Sequence, residues 1–170
     1  MRSFFALLLA ALPIAAPVSA DVTPPHLTAT SFEQLARPLP LPYDETAAAL
    51  ADVARARAQA RRHHKRLLID LGGNWCLDCR ILSGTMALPD LRRFIERHFV
   101  LVTVDIGRFD KNLAIPARYG ITQRLEGVPS LLVVDPRADR LLNAGRTAAL
   151  ADARHLNPQG LADYLAHWAE

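Results

Sequence analysis

The sequence predicts an α/β chain with a mixed central sheet and helices on both faces. Three observations carry that expectation. Apolar runs at 66–71, 99–106 and 129–135 read as buried strands, the second rich in β-branched residues. A helical pattern separates the first two, as the crossover between parallel strands requires. After the third run come a turn, "PRADR", a candidate hairpin strand, "LLNAG", and a closing helical segment. A crossover followed by a hairpin mixes both strand directions in one sheet.

The chain opens with Met1-Arg2-Ser3, an apolar run at 4–16, and Val18-Ser19-Ala20. The run is short of the roughly 20 residues a spanning helix needs. Its basic start, apolar centre and small-residue exit read as a secretory signal peptide over 1–20, cleaved after Ala20. No cysteine follows the run, which argues against a lipoprotein anchor. Of the 170 residues, 150 then remain, enough for one domain of about 100–200 residues. The formal charge of +3 is too small to point to nucleic acid.

Residues 21–42 hold Pro24, Pro25, Pro38, Pro40 and Pro42, and read as an extended lead-in or linker. The domain proper is placed at 43–170, with Asp44 as N-cap of an alanine- and arginine-rich helix over 45–62. The cations at Arg55, Arg57, Arg61, Arg62, Lys65 and Arg66 read as a solvated helix end, where the dipole favours them. After the first strand and Gly72-Gly73, a helix is expected from Cys76 to about Met86, with a further turn or two after Pro89. A short helix near 113–119 ends at Gly120. Asn157-Pro158 starts the last helix, which runs to about Trp168.

The chemistry concentrates in "DLGGNWCLDCR", residues 70–80, which holds the chain's only two cysteines. A structural disulfide across so short a ring stabilises little. A structural zinc site needs about four ligands, and no second cysteine pair follows. Haem attachment requires histidine after the second cysteine, where Arg80 stands. Redox work fits better. Cys76 at a helix N-terminus faces unpaired N–H groups that favour a thiolate, and Cys79 lies one turn on. Asp70 is a lone carboxylate inside an apolar strand, costly unless it pairs or works. Pro129 opens an apolar strand and is a candidate cis proline. A cis bond there would bring the Val128 backbone beside the cysteines, ready to pair with an extended substrate chain.

In that order, "LLIDLGGNWCLDCR", "VTVDI", "YGI" and "GVPSLLVVD" resemble the thioredoxin family, over roughly residues 43–170. The resemblance implies the thioredoxin fold with an extra N-terminal helix. It makes Cys76 the attacking cysteine, Cys79 the resolving one and Asp70 the buried acid that assists proton transfer. Trp75 becomes the flanking tryptophan and Pro129 the cis proline. The sequence departs from thioredoxin at Leu77-Asp78, which replaces Gly-Pro, and at Leu101, which stands where the acid's lysine partner is expected. The loop at 122–126 is longer. Asp78 is expected to be a partly solvated carboxylate that repels the Cys76 thiolate and makes the couple more reducing.

The expected activity is that of a periplasmic thiol–disulfide oxidoreductase, a protein disulfide reductase acting on protein thiols or disulfides. A membrane thiol donor would re-reduce it. No metal, nucleotide or flavin is indicated, and no nucleic-acid partner. An oxidase or isomerase of the same fold, or a non-enzymatic binding module, stays open, as does the oligomeric state.

Overall fold

The computed structural model describes residues 22–169. The expected signal peptide lies outside the described residues. No described helix is long and apolar enough to cross a membrane.

The sheet has four strands: β1 (Arg66–Gly72), β2 (Phe99–Asp105), β3 (Ser130–Asp135) and β4 (Arg140–Leu141). Their order is β2-β1-β3-β4. β1 runs parallel to β2, with Asp70 opposite Thr103. It runs antiparallel to β3, with Asp70 opposite Leu131. Among the described residues five α-helices surround the sheet: α1 (Ala49–His63), α2 (Leu77–Met86), α3 (Pro89–His98), α4 (Ala114–Arg118) and α5 (Pro158–His167).

Alternation along the strands builds two cores. Leu67, Ile69 and Leu71 pack with Val104, Leu132 and Val134 against Val53, Ala56 and Ala60 of α1 and Ile115 of α4. Leu68, Leu131 and Val133 face the other way, onto Leu82 of α2, Leu91 and Phe94 of α3, and Leu161 and Leu165 of α5. The central strand β1 is thus covered on both faces, which explains its apolar run, broken only at Asp70 between Leu67 and Leu71.

Three expectations about local structure need correction. The first helix starts at Ala49, four residues later than its predicted first residue. The Asp44 carboxylate closes a local turn instead, accepting the Thr46 N–H at 2.8 Å and its hydroxyl at 2.7 Å. The hairpin partner of β3 is only Arg140–Leu141, because a side chain takes over the ladder. Asn143 accepts the Val133 N–H at 2.9 Å and donates to the Leu131 carbonyl at 2.8 Å.

The proline-rich lead-in is the third. Its chain is extended but packed. Leu27, Leu35 and Leu39 are buried, the last two against Ile81 of α2. Gln159 of α5 accepts the Leu27 N–H and donates to the Pro25 carbonyl. Arg80 of α2 donates to the Leu39 and Pro40 carbonyls at 3.0 and 3.1 Å. Prolines cannot supply ladder N–H groups, so side chains of the domain satisfy this strap's carbonyls instead.

Candidate active site

β1 ends at Gly72, and a tight turn delivers the chain to α2 with Cys76 as its N-cap. The Cys76 sulfur accepts the Cys79 N–H at 3.1 Å. That is the capping role a serine or aspartate usually fills, performed here by a thiol. Both cysteines are free thiols; Cys79 is wholly buried and Cys76 nearly so. The Cys79 side chain, and after it the Cys79 N–H, hold the Cys76 thiol below its ordinary 9.0, against burial and the charge of Asp78. Cys79 moves the other way, pushed well above 9.0 by Cys76 beside it and by burial. One turn of helix therefore separates an acidic, outer thiol from a shielded, weakly acidic one.

Asp70 lies behind the pair and is completely buried. Burial pushes its carboxyl up to about 7, and a hydrogen bond from Tyr43 pulls in the opposite direction. The Tyr43 hydroxyl donates to Asp70 Oδ1 at 2.9 Å. Asp70 Oδ2 has no partner among the described residues. With Leu101 in the expected lysine's position, the group that opposes burial at Asp70 is Tyr43, which lies outside the cysteine motif. Leu101 is half-exposed on β2, opposite Leu68 rather than Asp70. The compensating group is Tyr43, the residue that follows the lead-in strap, 27 residues away in sequence. Tyr43 is itself buried, and Asn74 grips its backbone, accepting its N–H at 3.1 Å and donating to its carbonyl at 2.8 Å. Gly72 makes the convergence possible: a Cβ there would stand 2.3 Å from the Tyr43 hydroxyl and 2.8 Å from the Cys79 sulfur.

The expectation for Asp78 needs correction. It is buried, not solvated, and Arg154 binds it with its backbone N–H at 2.9 Å and with its guanidinium through Nε and Nη2. Burial raises the Asp78 carboxyl, but these bonds outweigh it and hold the group below 3.8. The anion inside the motif is therefore matched by a cation brought from the short turn Ala153–His155. Leu77, its neighbour in the motif, points outward and is 46% exposed.

The rim beside Cys76 is aromatic and cationic. Trp75 is 43% exposed, and its indole N–H donates to the Gly107 carbonyl at 2.8 Å. Arg108 stacks on Trp75 at 4.5 Å, and Arg124 on Phe109 at 4.3 Å. Phe109 sits at φ 70°, a left-handed conformation that costs a bulky residue about 1–3 kcal/mol and sets its ring 6.1 Å from that of Trp75. On the opposite side the Val128–Pro129 bond is cis. The Val128 carbonyl accepts the Cys76 S–H at 3.4 Å. Its N–H has no partner among the described residues, as an incoming extended chain would require. Among the described residues no cluster of histidine, cysteine and carboxylate side chains is placed to hold a metal.

The sequence matches the thioredoxin-like family over residues 48–136. The chain belongs to that family. A solved disulphide isomerase from Xylella fastidiosa is 37% identical to it, with a TM-score of 0.69, covering 75% of this chain and 96% of that one. A protein of unknown function from Pseudomonas aeruginosa matches at 22% identity, with a TM-score of 0.34, covering 72% of this chain and 80% of that one. No curated protein matches the sequence significantly.

Family membership and the isomerase likeness place the chain among thiol–disulfide oxidoreductases. Against the family pattern stated above, the thioredoxin-like site here differs in two supports. Tyr43 supplies a donor to the buried acid where a lysine is expected, and Leu77-Asp78, with Asp78 paired to Arg154, stands where Gly-Pro is usual. Sequence reasoning missed Tyr43, Asn74 and Arg154. Tyr43 sits between prolines and the first helix, and Arg154 lies 76 residues from Asp78, so no local pattern marks either.

Proposed function

We propose that this protein is a periplasmic protein disulfide reductase that works through the Cys76–Cys79 dithiol. One observation carries the reading: an acidic thiol caps α2 at 3.1 Å from the Cys79 N–H, with a buried carboxyl that titrates near neutral pH behind it. The Cys76 thiolate attacks a substrate disulfide, and the first substrate sulfur leaves as thiolate. Cys79 gives its proton to ionised Asp70 and attacks the Cys76 sulfur. The enzyme disulfide forms, and the second substrate sulfur departs. Two electrons pass from the dithiol to the substrate. A membrane thiol donor then restores the dithiol, because the periplasm is kept oxidising.

The export signal read at 1–20 supports the compartment. The free Val128 N–H and exposed Trp75 support an extended polypeptide as substrate. Reduction in the cell requires a couple near that of thioredoxin, about −270 mV, rather than near a strong oxidant at about −120 mV. Equilibration with glutathione buffers measures it, and a value at the oxidant's end would refute the reductase. The likeness to a disulphide isomerase favours isomerisation as a second reading. Rescue of a scrambled multi-disulfide protein without net reduction would favour it. Trapping mixed disulfides with Cys79→Ser identifies the substrates in either case.

A further inference from the structure

We propose that Tyr43 is the positioning residue of the resolving step: its hydroxyl holds Asp70 Oδ1, so that Oδ2 receives the Cys79 proton. This role rests on the exchange reading above.

Asp70 has two carboxylate oxygens, and the fold treats them differently. Oδ1 accepts from Tyr43 at 2.9 Å, whereas Oδ2 is buried with no partner. A buried oxygen without a donor is costly, and a proton delivered to it removes that cost. Cys79 is the donor at hand. Its sulfur and the Tyr43 hydroxyl converge on the space beside Gly72, where even a methyl group would clash with both. The Cys79 proton passes to Oδ2, and the sulfur's electron pair forms the bond to Cys76. The substrate sulfur leaves with the pair of the broken mixed disulfide.

Tyr43 does not serve as the base. Burial, with Asp70 and Cys79 beside it, drives its hydroxyl far above 10.0, so it keeps its proton and only donates. Other groups around Asp70 carry no competing charge. Its sheet neighbours are Thr103 on β2 and Leu131 on β3, and from α2 it faces Cys79. Burial raises its carboxyl and the Tyr43 hydrogen bond lowers it. The hydroxyl is held rigidly although Tyr43 belongs to no helix or strand. Asn74 clamps the Tyr43 backbone on both sides, and Thr103 donates to the Pro42 carbonyl at 3.0 Å. The packed strap thus holds the first residue after it, Tyr43, in the active site.

The test loads Cys76 with a chromophoric aryl thiol and follows its release by Cys79 as a function of pH. The wild type should show an inflection near Asp70's value of about 7. Tyr43→Phe keeps the ring and removes the donor, which destabilises the carboxylate. A lost bond to a charged group corresponds to about one pH unit or more, so the inflection should move up by about that much. One pH unit below the wild-type inflection, release should slow by about tenfold. Site-specific 3-fluorotyrosine at 43 is a stronger donor and should move the inflection down, and it decides the matter if Tyr43→Phe does not fold. An inflection that stays in place in the folded variants overturns the role. Absence of release in the wild type at every pH would sink the exchange reading itself, and this role with it.

Discussion

Replacing Asp70 by asparagine should make stability less dependent on pH, and the size of the effect follows from burial. In the folded chain the carboxyl is wholly buried and titrates at about 7, against 3.8 when solvated. Between those values the folded state holds a proton that the unfolded state has lost. Stability therefore falls as pH rises through this window and levels off above the folded value. At about 1.36 kcal/mol per pH unit, the rise from 3.8 to about 7 corresponds to about 4 kcal/mol. Asparagine cannot ionise, so Asp70→Asn escapes this loss. Its amide leaves an unpartnered donor where Oδ2 stood, at a cost of about 1–3 kcal/mol that does not vary with pH. The difference between variant and wild type, whatever its absolute value, should thus shift by about 4 kcal/mol in the variant's favour from about pH 4 to about pH 8. Urea unfolding of both proteins, kept reduced, measures it across that range. Parallel profiles, differing by a constant within about 1 kcal/mol, would refute a buried carboxyl forced to ionise at Asp70.

Four further outcomes are expected. Alkylation at mildly acidic pH should label Cys76 before Cys79, because the outer thiol is the more acidic and the inner one is wholly buried; mass mapping reads the order. Arg154→Met leaves the Asp78 anion without its partner, so denaturant unfolding should show a loss of stability, smaller than for a fully buried pair because Arg154 is half in solvent. In the same variant the uncompensated anion should raise the Cys76 thiol, which thiolate absorbance against pH reports. Gly72→Ala forces a methyl group against the Tyr43 hydroxyl and the Cys79 sulfur, and should cost about 1–3 kcal/mol in urea unfolding while slowing release from Cys76.

The sequence alone determined the three long strands, their crossover and the pair of thiols, because these are written in local patterns. A near-continuous apolar run such as "RLLIDL" reads as a buried element, and the carboxylate that interrupts it announces a special site. The Cys76–Cys79 spacing sets one helical turn, and Asn157-Pro158 sets a helix start. What the chain order could not show is which distant residue meets which. Proline content marked the lead-in as extended, yet whether it floats or packs depends on carbonyl partners at Arg80, Thr103 and Gln159, which lie 40, 61 and 134 residues away. The sign of the charge at Asp78 was legible, but its effect was not, because Arg154 sits half the chain away. Asp70 was visible as a buried acid, while its donor, Tyr43, belongs to a segment with no regular structure to read. Local propensity places backbone and side-chain type. Compensation of buried charge is a pairwise, long-range matter, and only the tertiary structure decides it.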